Sequence, residues 1–475
     1  MSSPEELTYR KYPAKLHCEN VKKNLLSKTS LDPSTIVIFL SGEGSKLYPH
    51  SDQEQVFRQD RDFFYLSGCN IPNSHLIYDV QSSKLSLFLP NIDNDDVMWS
   101  GMPLLPEQAL QKFDVDDVHY TNKLYDYFHN LNKNHKIAIT NYRSEWNNPY
   151  KYFFLKQSDD DLNYALSESR LIKDDYEISL MKIAAKITDN SHLAVMSALP
   201  IEKNETHIHA EFIYHSIRQG SKFQAYDPIC CSGPNCGTLH YIKNDDTLSN
   251  KNSVLIDAGA EWQNYAADVT RCFPINGIWS KEHRQIYDIV LKMQKTVLKQ
   301  IKPGVLWDDL HLLAHRVLID SFLKLGIFKK KFSSQEIFDS NASVCFFPHG
   351  LGHLLGLSTH DVGGNPNYQD PDPKLRYLRL RRKLLAGMVV TDEPGIYFSP
   401  FLIDNALKDE KIAQKIDQSV LENYYYIGGV RIEDDILVTE NGHENLTGIT
   451  SDPDEISKIV TDGINKGRDH FHCIV

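Results

Sequence analysis

Four acidic residues sit at the ends of apolar, strand-forming runs, and that placement constrains this chain more than any other feature. Asp257 closes Val254-Leu255-Ile256, and Asp268 follows eleven residues later in YAADVTRCFP. Glu393 comes one residue past Met388–Thr391 in MVVTDEPGIYF, and Glu433 lies inside Val430–Val438 in GGVRIEDDILVT. A carboxylate carried into an apolar interior is costly unless it is paired or bound to a metal. If the strands before and after Asp257 and Asp268 form a hairpin, both carboxylates face one pocket. Left unneutralised they would repel each other until one took up a proton; a divalent cation removes the conflict. Taken singly, each acid has a plainer explanation: Asp257 as a cap, Asp268 paired with Arg271, Glu393 and Glu433 as isolated ion pairs.

The fifth element is His349-Gly-Leu-Gly-His353, followed by His360-Asp361. Glycines on both sides of Leu351 let the backbone approach a ligand or metal closely. Four carboxylates and one imidazole make a hard, oxygen-rich donor set, suited to Mn2+, with Co2+ or Zn2+ as alternatives. Two ions bridged by acids are expected about 3.5–4 Å apart, as in two-metal hydrolases generally.

A chain of 475 residues is too long for one ordinary core and implies about two domains. Ile36–Leu40 reads as a buried strand, His75–Val80 and Leu85–Leu89 as a hairpin around Gln81-Ser82-Ser83-Lys84, and Lys136–Thr140 as a further strand. With helical stretches between them, the N-terminal part is an α/β domain. The polar stretch Lys156–Leu171 marks a boundary, giving domains 1–165 and 166–475. Helices then dominate. Ile178, Met181 and Ala185 share a face; Ile286, Ile289, Val290, Met293 and Val297 form a stripe with Ser280 as N-cap; Leu310, Leu313, Ala314 and Val317 mark another.

The net charge of −12 and pI near 5.9 give no reason to expect nucleic acid or an anionic membrane as partner. No apolar run approaches the roughly 20 residues of a membrane helix. The opening MSSPEELTYRKY carries Glu5 and Glu6 and lacks an apolar core, so no presequence is expected. Cys473 stands third from the end, where a prenylation box needs its cysteine fourth. The eight cysteines are scattered. Cys230, Cys231 and Cys236, with His240 nearby, lack standard zinc spacing, and a reduced, cytoplasmic protein is expected.

Asp257, Asp268, His353, Glu393 and Glu433, in the motifs LIDAGAEW, ADVTRCFP, HGLGH, TDEPGIYF and RIEDD, resemble in order the five metal ligands of the pita-bread metallopeptidases. These include prolidase, aminopeptidase P and methionine aminopeptidase. FRQDRDFFYLSG (Phe57–Gly68) resembles the N-terminal, creatinase-like α/β domain of the proline-specific members, so the resemblance covers nearly the whole chain. It implies an α/β N-terminal domain followed by a C-terminal pita-bread catalytic domain that hydrolyses Xaa-Pro bonds with two divalent ions. By the same resemblance, His240 lies beside the substrate amide, His349 and His360 line the proline pocket and scissile bond, and Tyr226 lies near the attacking solvent. Arg379 matches the arginine that prolidases use for the substrate carboxylate, and Arg431 an active-site arginine of aminopeptidase P. Glu393 would move a proton toward the leaving nitrogen, while His360 and His240 would hydrogen-bond the developing oxyanion. Small peptides with proline second are the implied substrates, and a homodimer is expected.

FPHGLGHLLG, Arg379 and the long interval from His360 to Glu393 resemble prolidase. LIDAGAEW, RIEDDILVTENGHENLT and FRQDRDFFYLSG resemble aminopeptidase P. The expectation is an Xaa-Pro dipeptidase, with aminopeptidase P as the alternative and a metal-free scaffold as a remote one. Arg379, Arg381 and Arg382 stand too close together for the sequence to say which guanidinium points inward. Ile242-Lys243 departs from the Gly-His common after the corresponding His-Tyr in animal prolidases.

Overall fold

The apolar run at Ile36–Leu40 is fully buried, as the middle of a covered sheet requires. In the computed structural model it forms β1 (Ile36–Ser41), which pairs antiparallel with β2 (His75–Asp79). The expected hairpin follows: β2 pairs with β3 (Lys84–Leu89), Asp79 opposite Lys84. Asp79 closes its turn by accepting the Gln81 and Ser82 amides at 3.0 Å, the usual service of an aspartate there. β4 (Asp117–Tyr120) adds parallel to β3 and β5 (Ile137–Ile139) parallel to β1, giving the order β4-β3-β2-β1-β5. Val37, Phe39, Ile77 and Phe88 pack with Leu124 and Phe128 of helix Leu124–Lys133 as the core of this unit.

The structure describes residues 9–141 and 159–466; the opening residues, residues 156–158 of the polar stretch and Cys473 lie outside them. The chain divides into Met1–Leu171 and Ile172–Val475. The expected boundary at 165/166 falls inside helix Asp159–Leu171. That helix is polar in composition but buries Leu162, Ala165, Leu166 and Ser169, the i, i+3, i+4, i+7 face of an amphipathic helix, so it stays with the first unit.

The second unit begins with a capped helix. Asp174 accepts the Tyr176 and Glu177 amides while Glu177 accepts the Asp174 amide, and Asp175–Ala198 follows. β6 (Ile229–Ser232), β7 (Ser253–Asp257) and, past the short hairpin β8 (Glu261–Trp262) and β9 (Tyr265–Ala266), β10 (Thr270–Pro274) form an antiparallel sheet in the order β10-β7-β6. β11 (Val389–Asp392) pairs antiparallel with β14 (Asp434–Val438), and β12 (Gly395–Tyr397) with β13 (Gly429–Arg431). Two bridges join these pieces. Thr270 meets Glu433, and Leu354, just past the HGLGH segment, meets Val390.

Helix Lys281–Leu298 buries the expected stripe, with the Ser280 hydroxyl accepting the His283 amide. Helix Trp307–Leu325 buries Leu310, His311, Ala314, His315 and Leu318, leaving Leu313 and Val317 only half-buried. The face is displaced from the purely aliphatic reading because two histidines find buried partners. Among the described residues no helix is long and apolar enough to cross a membrane, and the cysteines there are unbridged and buried.

Candidate metal centre

The β7–β10 hairpin does what the Asp257/Asp268 spacing suggests. Asp257 ends β7 opposite Thr270, and Asp268 stands two residues before β10 begins. Between them the backbone crosses itself so tightly that a Cβ at Gly259 would lie 1.7 Å from the Ala267 carbonyl oxygen. The Tyr226 hydroxyl lies 2.5 Å from Oδ1 of both aspartates, so those two oxygens are separated by no more than twice that distance. Asp268 is held from behind: its amide donates to the Asp435 carboxylate at 3.1 Å.

His353 enters on the HGLGH segment, which runs strand-like beside β11. Its amide donates to Thr391 Oγ1 at 3.1 Å, and the Thr391 amide returns a bond to the His353 carbonyl at 2.9 Å. A Cβ at Gly352 would sit 2.0 Å from the Thr391 carbonyl oxygen. Gly352→Ala is therefore expected to push these backbones apart and lower the unfolding free energy by about 1–3 kcal/mol, the usual range for overpacking. Urea denaturation of the metal-free protein measures this; an unchanged midpoint would show that the contact relaxes without cost.

His353 Nδ1 faces the Leu354 carbonyl at 3.0 Å, which fixes the tautomer and turns the Nε2 lone pair inward. That nitrogen lies 3.4 Å from Asp268 Oδ2 and 3.5 Å from Glu393 Oε1. Glu393 is anchored by its amide on the Leu351 carbonyl at 2.9 Å and by Thr391 Oγ1 at 3.3 Å. Glu433 receives the Thr270 hydroxyl at 2.6 Å. One donor atom each from Asp268, His353 and Glu433 lies within 4.8 Å of the others. Asp257 and Glu393 flank this close set through Tyr226 and His353.

A lone pair and several carboxylates aimed at one another are not stable as they stand. Burial, reinforced by the neighbouring carboxylates, pushes Glu433 well above the usual carboxylate range and Glu393 up to about 7. Burial raises Asp268 too, against the opposing pull of His353. Burial alone would strip the proton from His353, but Asp268 and Glu393 outweigh it and favour the cation. The cluster asks for positive charge. Divalent cations satisfy every donor at once, and the residues fit such ions.

Neither plainer explanation of the aspartates survives. Arg271 is buried and pairs with Asp434 at 2.7 Å, its other N–H groups going to the carbonyls of Thr270, Glu433, Ile449 and Thr450. Asp257 caps no helix; its Oδ2 takes Arg431 Nη2 at 2.6 Å. Arg431 also reaches Tyr397 Oη at 2.8 Å and Thr270 Oγ1 at 3.1 Å. Tyr397 Oη lies 2.8 Å from His349 Nε2, and His349 Nδ1 faces the Gly350 carbonyl. Arg431, Tyr397 and His349 thus form a directed hydrogen-bond chain. Burial and Arg431 depress the His349 pKa to about 3, so the ring is neutral. The His360 ring stands edge-on to His353 at 4.5 Å between centroids. Burial, His353, Arg379 and His240 all push its pKa down, which leaves it a neutral hydrogen-bond donor. Exposed His240 is close enough to influence both His349 and His360.

Two of the three neighbouring arginines have partners away from the carboxylate cluster. Arg381 is consumed by Asp308 at 2.6 Å and Asp370 at 2.9 Å, and Arg382 donates to the Gly363 carbonyl. Half-buried Arg379 makes no ion pair among the described residues, and its charge is felt by His360. Sequence reasoning missed Thr270, Thr391, Tyr397 and Asp435. Nothing in their local motifs marks them, although Thr391 and Tyr397 flank Glu393 within a few residues. Burial raises the thiols of Cys230 and Cys236, which disfavours the thiolate form that reacts or binds metal.

Comparison with known proteins agrees with this geometry. Residues 179–440 match the family model described as metallopeptidase family M24, and residues 17–140 match that of the aminopeptidase P N-terminal domain. An uncharacterized peptidase of Saccharomyces cerevisiae is 52% identical over 99% of this chain and 88% of its own length. A probable Xaa-Pro aminopeptidase of Verticillium alfalfae is 45% identical over 97% of this chain and 99% of its own. Among solved structures, aminopeptidase P from E. coli with the inhibitor Pro-Leu superposes with a TM-score of 0.77 at 27% identity, covering 96% of this chain and 100% of that one. With its inward-facing acids, its HGLGH histidine and an aminopeptidase P-type N-terminal domain, this chain is a member of metallopeptidase family M24, in the branch of the pita-bread Xaa-Pro peptidases.

Proposed function

We propose that the protein releases the N-terminal residue from peptides with proline in second place, using two divalent ions held by Asp257, Asp268, His353, Glu393 and Glu433. The observation that carries this reading is the convergence of Asp268, His353 and Glu433 donor atoms within 4.8 Å. Mn2+ suits four carboxylates and one imidazole best, with Co2+ or Zn2+ as alternatives. The dipeptidase expectation gives way to aminopeptidase P, because relatives 44–46% identical over nearly their full lengths are named probable Xaa-Pro aminopeptidases.

When bound, the ions supply Lewis acidity and a nucleophile activated near neutral pH. The protein supplies the rest. Glu393, held by Thr391 and the Leu351 carbonyl, takes up a proton and delivers it toward the proline nitrogen. That nitrogen has no N–H while acylated, so it must acquire a proton to leave. His360, kept neutral by its depressed pKa, and His240 donate hydrogen bonds to the oxyanion. His349, fixed by Tyr397 and Gly350, forms a wall of the proline pocket. Tyr226 keeps its proton, because burial and the two aspartates raise its pKa, and so acts as a donor beside them.

One observation favours a second reading. Arg379 makes no ion pair among the described residues and its charge reaches His360, where a free carboxylate one residue past the scissile bond would need a cation. Hydrolysis of Ala-Pro, Ala-Pro-Ala and longer peptides after Mn2+ loading separates the two. The expected result is cleavage of Ala-Pro-Ala at least as efficient as that of Ala-Pro, with Arg379→Ala affecting both alike. Cleavage confined to Ala-Pro, with a KM raised selectively by Arg379→Ala, would restore the dipeptidase.

A further inference from the structure

Helix Trp307–Leu325 carries a histidine that faces neither metal nor substrate, yet it grips two segments that do. His311 is fully buried. Its Nδ1 lies 3.1 Å from the Leu351 amide nitrogen and its Nε2 2.6 Å from the Lys374 carbonyl oxygen. A backbone amide only donates and a carbonyl only accepts. The ring is therefore neutral with its proton on Nε2, in keeping with burial, which pushes its pKa down to about 4.

Each partner leads to a different part of the site. Leu351 is the centre of the HGLGH segment, and its carbonyl accepts the Glu393 amide at 2.9 Å. Lys374 belongs to the 370–382 segment, which carries Arg379. The same helix holds that segment a second time, through Asp308 and Arg381 at 2.6 Å. The two segments also touch: a Cβ at Gly350 would meet Leu378 Cα and the Tyr377 carbonyl oxygen at 3.0 Å.

We propose that His311 is a positioning residue with two separable duties: Nδ1 sets the register of the HGLGH segment, which carries His353 and anchors the Glu393 amide, and Nε2–H sets the placement of the segment carrying Arg379. The inference rests on the assignment of His353 and Glu393 to the ions and on Arg379 meeting the bound peptide whatever its length, the case in which Arg379→Ala affects Ala-Pro and Ala-Pro-Ala alike. Two substitutions divide the duties. Asparagine puts an amide oxygen where Nδ1 lies and gives up the Lys374 bond. Glutamine puts an amide N–H where Nε2 lies and leaves the Leu351 amide unpaired.

The test uses the full chain. Calorimetry with Mn2+ alone gives the metal dissociation constant, and hydrolysis of Ala-Pro-Ala gives kcat and KM. His311→Gln is expected to weaken Mn2+ binding and lower kcat about 10-fold, the low end for residues behind a metal's ligands, with KM little changed. His311→Asn is expected to keep Mn2+ affinity and kcat within about threefold and to raise KM about 10-fold, the signature of a lost substrate contact. Asp308→Asn, which loosens only the Arg381 grip, should raise KM alone. The proposal is overturned if His311→Asn and His311→Gln share one profile, or if Asp308→Asn leaves KM unchanged. Should both His311 variants fail to fold, Asp308→Asn decides by the same criterion. Normal Mn2+ binding by Asp268→Asn would instead remove the metal assignment itself, whatever the His311 variants do.

Discussion

Asp268→Asn is expected to yield a folded protein that neither binds its full complement of metal nor turns over substrate. Asp268 shares the Tyr226 hydroxyl with Asp257, faces His353 at 3.4 Å and is held by Asp435 through its own amide. Asparagine keeps that shape and the backbone bond but removes the charge and one anionic donor. Turnover should fall by more than about 10²-fold, beyond what altering a residue merely behind the ligands does. Stability offers an independent readout. A ligand that binds only the folded state stabilises it by RT ln(1 + [L]/Kd), about 2.7 kcal/mol at 100 times Kd. Mn2+ should therefore raise the unfolding temperature of the wild type and leave that of Asp268→Asn almost unmoved. Without metal the variant should be no less stable, because it relieves repulsion among buried carboxylates. Elemental analysis showing two metals together with near-normal turnover would sink the assignment.

His360→Ala should behave in the opposite way, keeping its metal while losing catalysis. Its ring packs against His353 from outside the carboxylate cluster. Its depressed pKa leaves a neutral N–H donor at working pH. Removing one donor to a developing oxyanion costs about 10²–10³ in turnover. The Mn2+ dissociation constant should stay near the wild-type value, whereas His353→Ala, which removes the inward Nε2, should lose it. If His360→Ala loses metal and His353→Ala retains it, the two histidines have exchanged roles.

Local chemistry explains why so much of the centre was readable. An acid placed at the end of an apolar run, as at Asp257 or Glu393, announces its need for a partner within a few residues of sequence. The two glycines of HGLGH announce a close backbone approach, which Gly352 makes against Thr391. The first hairpin and the stripe of helix Lys281–Leu298 follow from periodicity in the same way. The helix displaced from its aliphatic reading is the one whose histidines are buried by distant partners: His311 against Lys374, and His315 against Ser343.

The sequence by itself therefore determined which residue types must gather and which strands would carry them, since burial of charge and side-chain periodicity are short-range constraints. Only the tertiary structure decided the pairings. Arg271 chose Asp434 over Asp268, and Arg431 went to Asp257. Arg381 was taken by Asp308, and Arg379 makes no ion pair among the described residues. Those choices join residues that lie far apart in the chain. A guanidinium goes to whichever carboxylate the packed backbone brings within about 3 Å in a desolvated setting, and no local pattern encodes that distance.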